Sequence, residues 1–141
     1  MSGVMRVRPL VGGAAAGEIV RLEPLSFWGG FDPVTGCVCE PSHPQFGTSL
    51  SGKVAVMRTG RGSSSSSSVL AEAVRAGTAP AAVVLREIDP ILATGALVAR
   101  ELYGRACPVV VLDPADGWDD LRNGLWVTLK AAAAEGALTL G

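Results

Sequence analysis

Two runs of consecutive apolar residues leave this chain little freedom of architecture: AAVVL at 81–85 and PVVVL at 108–112. Neither alternates with polar residues, so each reads as a strand buried on both faces. A third strand, KVAVM at 53–57, precedes them. Between KVAVM and AAVVL the text runs RTGRGSSSSSSVLAEAVRAG, in which Leu70, Ala73, Val74 and Gly77 fall on one helical face. Between AAVVL and PVVVL, Asp89-Pro90 opens a helix to about Tyr103, with Asp as the cap and Pro at the first helical position. Glu101 and Tyr103 then belong to that helix's end. Strand–helix–strand–helix–strand is an α/β pattern with a layered core.

The flanks add strands. Residues 5–10 (MRVRPL) alternate apolar and basic and stop at Gly12-Gly13, and 18–22 form a second strand stopped by Pro24. Together they read as β-hairpin material packed on the core. Downstream, 114–122 reads as a short helix, 125–130 as a strand and 137–140 as a last short strand. With 141 residues and no internal repeat, 1–141 reads as one domain. A chain of this length buries roughly two-thirds of its unfolded surface and needs no disulfide or metal to stay folded.

Several classes of function are excluded at this level. Twelve Lys and Arg against 13 Asp and Glu give a net charge of −1, so no basic footprint for nucleic acid exists. Near-zero charge and a positive mean hydropathy favour association with a partner. No apolar run reaches the roughly 18 residues a membrane span needs. The start, MSGVMRVRPLVGGAAAGEIV, mimics a signal peptide, but Gly12, Gly13, Gly17 and Glu18 break its apolar stretch. Three cysteines, an odd count without framework spacing, point to the reducing cytoplasm.

Chemistry has few places to reside. The stretch from Ser26 to Ser51 is turn-rich with at most one short strand, 36–40, yet it holds Phe27, Trp28, Phe31 and Phe46, which argues against disorder. Aromatics in such a loop supply rigid contact area, so Phe27, Trp28 and Phe31 are expected at a partner interface. The serines 63–68 read either as a flexible linker or as a functional helix start. A buried strand before them and a patterned helix after them favour the second, with serines as N-cap. No P-loop lysine follows the glycines, and no G-x-S-x-G occurs. His43, between two prolines, is read as structural. Cys37 and Cys39 are spaced too closely for zinc or cluster motifs, and strand alternation turns them to the same face. They are expected to be small buried hydrophobes, with no metal site in this chain.

Ser26–Pro33 (SFWGGFDP), His43-Pro44, Gly60–Ser64 (GRGSS) with its helix VLAE, Gly77–Pro80 (GTAP), Asp89-Pro90-Ile91 and Glu101-Leu102-Tyr103 together resemble the small subunit, or swivel domain, of aconitase X. The resemblance runs in order from about residue 12 to 112; the stretch after Pro114 carries no matching motif. It implies a swivelling β/β/α domain that closes over a large catalytic subunit. That subunit holds the iron–sulfur cluster. It also implies dehydration of a small hydroxy acid, mevalonate 5-phosphate in archaea and cis-3-hydroxy-L-proline in bacteria. By analogy with related aconitases, the first serine after the glycine supplies the general base, which maps to Ser63, with Ser64 the runner-up. Arg61, Gly62 and Ser64 become substrate-binding candidates.

Ten arginines against two lysines suggest a GC-rich bacterial genome and hence hydroxyproline. The rival class is a non-catalytic swivelling domain: a phosphohistidine carrier, which would need His43 beside the serines, or a scaffold whose SFWGG loop only holds the partner.

Overall fold

The structure is a computed structural model that describes residues 3–113, 115 and 117–141. Seven strands, β1 (Val4–Val11), β2 (Gly13–Arg21), β3 (Val54–Met57), β4 (Ala82–Leu85), β5 (Val109–Val111), β6 (Trp126–Ala131) and β7 (Gly136–Leu140), close into a barrel. Their order around it is β1-β5-β4-β3-β2-β6-β7. Strands β2, β3, β4 and β5 are mutually parallel, with Val54 opposite both Ile19 and Ala82. The remaining pairs are antiparallel. A short helical turn α1 (Phe27–Gly30) follows β2, and helices α2 (Ser66–Ala76) and α3 (Pro90–Tyr103) cross from β3 to β4 and from β4 to β5.

The apolar runs behave as their composition requires. Val54, Val56, Ala82, Val84 and Val110 point into the barrel against Ile19, Val127, Leu129 and Leu138. Ala55, Met57, Val83, Leu85 and Val109 point outward, under Leu70 and Val74 of α2 and Leu92 and Ala96 of α3. Both faces are dry, so no polar residue is tolerated on either. The layers are sheet, sheet and helices, a β/β/α arrangement.

The two N-terminal strands do not form the expected hairpin. β1 pairs with β5 and β7, β2 with β3 and β6, so each belongs to both sheets. With a single residue between them, the chain turns a corner instead of pairing back. Gly12 allows it: a Cβ there would lie 2.9 Å from the Ala131 carbonyl oxygen. β2 also starts earlier than its sequence suggests, because residues 13–17 pair with β6 despite being Gly and Ala.

Helix α3 starts as read, with Asp89 Oδ1 accepting from the Ile91 and Leu92 amides. The expected helix at 114–122 lies partly outside the described residues; among those described, Trp118–Asp120 form a 3₁₀ turn.

The loop from Ser26 to Ser51 is ordered without a regular strand; its pairing is limited to the bridges Phe31–Val38 and Cys37–Ser49. Phe27 and Phe31 are 0% and 2% exposed with ring centroids 4.9 Å apart, which corrects their expected place on a partner surface. In a loop with few other apolar groups they become the anchors that hold it to the helical layer. Trp28 is 59% exposed. His43 is buried; its Nδ1 accepts from the Gln45 amide, so Nε2 carries the proton and donates to the Glu23 carbonyl at 3.0 Å. The cysteine reading is corrected too. Cys37 is half-buried and Cys39 exposed, and of the three only Cys107 is buried.

Candidate active site

The loops that follow β2, β3 and β4 converge at the carboxyl ends of the parallel strands, where open α/β sheets place ligand sites. They enclose a cavity of about 200 Å³ lined by Leu25, Gly60, Arg61, Gly62, Ser63, Ser66 and Asp89 among others. A larger groove of about 780 Å³ along β1 and the β6–β7 hairpin shares none of these residues. Its lining is mostly small and apolar, so the convergence of polar groups marks the smaller cavity as the candidate site.

Four hydrogen bonds to three residues hold the turn after β3. Asp89, the cap of α3, turns its second oxygen to the Gly60 amide at 3.0 Å, and the Arg61 amide donates to the Leu25 carbonyl. Arg61 Nη2 contacts both carboxylate oxygens of Glu40, at 3.1 and 2.8 Å. Gly62 has φ +94°, and a Cβ there would run into the Ser26 hydroxyl. Only glycine gives both that backbone conformation and that approach. Gly62→Ala is therefore expected to lower stability by about 1–3 kcal/mol, read as a fall of about 3–10 °C in Tm. An unchanged melting curve would show that the turn relaxes freely.

Beyond Gly62 the serines divide by role. Ser63 Oγ accepts the Ser65 amide at 3.1 Å and its carbonyl accepts from Ser66. Ser64 is exposed and does not line the cavity; its carbonyl takes the Ser67 amide and hydroxyl. That departs from its expected place beside Arg61 and Gly62, since both serines precede the helix and its rotation does not relate them. Ser66 is buried and accepts the Trp28 amide at 3.0 Å, clamping α1 onto α2. The expected serine N-cap is absent: Ser65 occupies that position in αR conformation without a side-chain bond. A succession of i→i+3 turns from Ser63 satisfies the first amides instead.

Arg61, Gly62 and Ser63 thus come together. Sequence reading missed Glu40 and Ser66, and took Asp89 for a cap alone. Glu40 had no signal, because its partner is 21 residues away and nothing local marks it. For His43, burial and backbone partners on both nitrogens leave no face for phosphoryl transfer.

The chain is similar to known proteins over nearly its whole length. Residues 4–139 match the family model of the aconitase X swivel domain. The cis-3-hydroxy-L-proline dehydratase of Pseudomonas aeruginosa is 45% identical over 94% of this chain, which spans 22% of that relative's length. The phosphomevalonate dehydratase small subunit of Thermococcus onnurineus is 43% identical over 90% of this chain and 92% of its own. The crystal structure of holo-form aconitase X from Thermococcus kodakaraensis superposes with a TM-score of 0.83 at 32% identity, covering 98% of each chain.

Proposed function

The chain belongs to the aconitase X swivel-domain family, and we propose that it serves as the small, mobile part of a hydro-lyase that removes water from a small hydroxy acid. Its substrate in this reading is cis-3-hydroxy-L-proline, the product Δ1-pyrroline-2-carboxylate, and its partner a large catalytic subunit in the cytoplasm. The observation that carries the reading is the cavity in which Arg61, Gly62 and Ser63 meet at the start of α2. The identity to the Pseudomonas enzyme supports the substrate. The Thermococcus small subunit, similar over nearly all of its length, makes mevalonate 5-phosphate the second acid to test.

The iron–sulfur cluster that the family implies does not fit the residues here. Among the described residues no three His, Cys, Asp or Glu group to hold a metal. Burial pushes the Cys107 thiol up to about 12. Partial burial, and then the charge of Asp32, hold Cys39 above the usual thiol range, which disfavours the thiolate a cluster needs. In this reading the large subunit holds the cluster.

The task left to this chain is proton removal. Ser63 Oγ, as alkoxide, takes the proton from the carbon beside the hydroxyl-bearing carbon; the C–H electron pair becomes the new C=C bond, and the hydroxyl leaves with its C–O pair, taking a proton from an acid of the partner to depart as water. For cis-3-hydroxy-L-proline the enamine so formed gives up its N–H proton and gains one on carbon, which yields the Δ1 imine. The Ser65 amide on Oγ favours the charged form. A helix start adds up to about 2 kcal/mol, one or two pKa units at about 1.4 kcal/mol each. That is too little alone. Ser63 is exposed in this chain. Exclusion of water by docking, with Arg61 and the partner's charges, has to provide the rest. A base on one body and the departing group's acid on another also gives the swivel a purpose: the site exists only when closed.

Co-expression with the large subunit and assay of both acids tests the reading; turnover of neither overturns it. Trp28, exposed beside the cavity wall formed by Phe27, is the aromatic left for the partner. Trp28→Ala is expected to weaken subunit association by about 1 kcal/mol or more, measured by calorimetry. Equal affinity would remove Trp28 from the interface.

A further inference from the structure

We propose that Glu40 is the positioning residue for Arg61, engaging its guanidinium through one nitrogen so that the remaining N–H donors face the substrate carboxylate. The inference rests on the reading of Arg61 as a substrate contact. An arginine carries five N–H donors in a planar fork, two on each Nη and one on Nε. Both Glu40 oxygens contact Nη2 alone, and Nε and Nη1 bond to none of the described residues. A fork–fork pair would have consumed a whole edge of the fork; this one leaves Nε and both donors of Nη1.

Glu40 is the fixed member of the pair. Its Oε2 also accepts from the Ser42 hydroxyl at 2.9 Å, and its carbonyl accepts the His43 amide, next to the buried imidazole. Its side chain is 23% exposed against 55% for Arg61. Arg61 is tied at its backbone to Leu25, so Glu40 fixes the free end of an otherwise swinging side chain. An exposed ion pair contributes little to stability, which leaves placement as its consequence. Ordering a side chain this long during binding costs about 2- to 12-fold in affinity.

In the complex, Glu40→Ala is expected to raise KM about 2- to 12-fold with kcat within about threefold. Removing a negative charge would by itself favour an incoming carboxylate, so a rise in KM reports lost placement and not an altered field. Glu40→Gln, which keeps one acceptor for Nη2, recovers part of the loss. In an Arg61→Ala background, Glu40→Ala adds less than about twofold, because residues acting as a unit are not additive. On the ¹⁵N-labelled chain, relaxation of the Arg61 Nε–H signal gains fast motion in Glu40→Ala. An unchanged KM, an equal loss with and without Arg61, or an equally ordered Nε–H overturns the proposal. If the wild-type complex dehydrates neither acid, the functional reading fails, and the relaxation experiment alone then decides whether Glu40 orders Arg61.

Discussion

If Ser63 is the base of the proposed dehydratase complex, Ser63→Ala is expected to lower its turnover by at least the roughly 10²- to 10⁴-fold that loss of a general base brings. Substrate binding should largely survive, because the lost interaction is made mainly in the transition state. Fold and assembly should survive as well. The hydroxyl's recorded bond is one acceptance from the Ser65 amide at an exposed position, where a hydrogen bond contributes about 1 kcal/mol. Ser64→Ala is expected to do much less, since Ser64 lines no part of the cavity. Turnover and binding of both variants in the purified complex decide the matter. A dead Ser64→Ala beside an active Ser63→Ala would shift the base by one residue. Two active variants would exclude both serines as the base.

The largest expected effect on stability lies at Phe27. Its ring is 0% exposed, packs on Phe31, and shares a core with Leu25, Leu70 and Leu92. Phe27→Ala removes that ring and leaves a cavity, at about 3–5 kcal/mol. For a domain of this size that is a fall of about 10–15 °C in Tm. The variant should also loosen α1 and the Trp28–Ser66 bond, so the candidate site degrades with the core. A melting shift below about 3 °C would show that Phe27 carries little of the core.

How legible the molecule was in its sequence depends on the range of each signal. The α/β order, the position of α3 between Asp89 and Tyr103, and the strands at 53–57, 81–85 and 108–112 emerged within a residue or two of where they lie. Each is written in caps and periodicities spanning a few residues. The GRGSS turn was found by its context, a buried strand before and a helix after, and by resemblance to the family. Phe27 and Phe31 show the limit. Aromatics in a Gly-rich loop look alike whether they face a partner or the core, and only the helical layer beneath them settles the direction.

The sequence by itself determined the class of fold, the family, and the place of the turn that carries Arg61, Gly62 and Ser63, because local backbone preferences and a contiguous motif suffice for these. Tertiary structure decided the rest. It turned β1 and β2 away from each other into a closed barrel, since burying both faces of the parallel strands outweighs the pairing of near neighbours. It brought Glu40 to Arg61, Asp89 to Gly60 and Ser66 to Trp28, pairs 21, 29 and 38 residues apart. No local pattern encodes such pairs, because each partner satisfies a charge or an amide whose position exists only once the layers have packed.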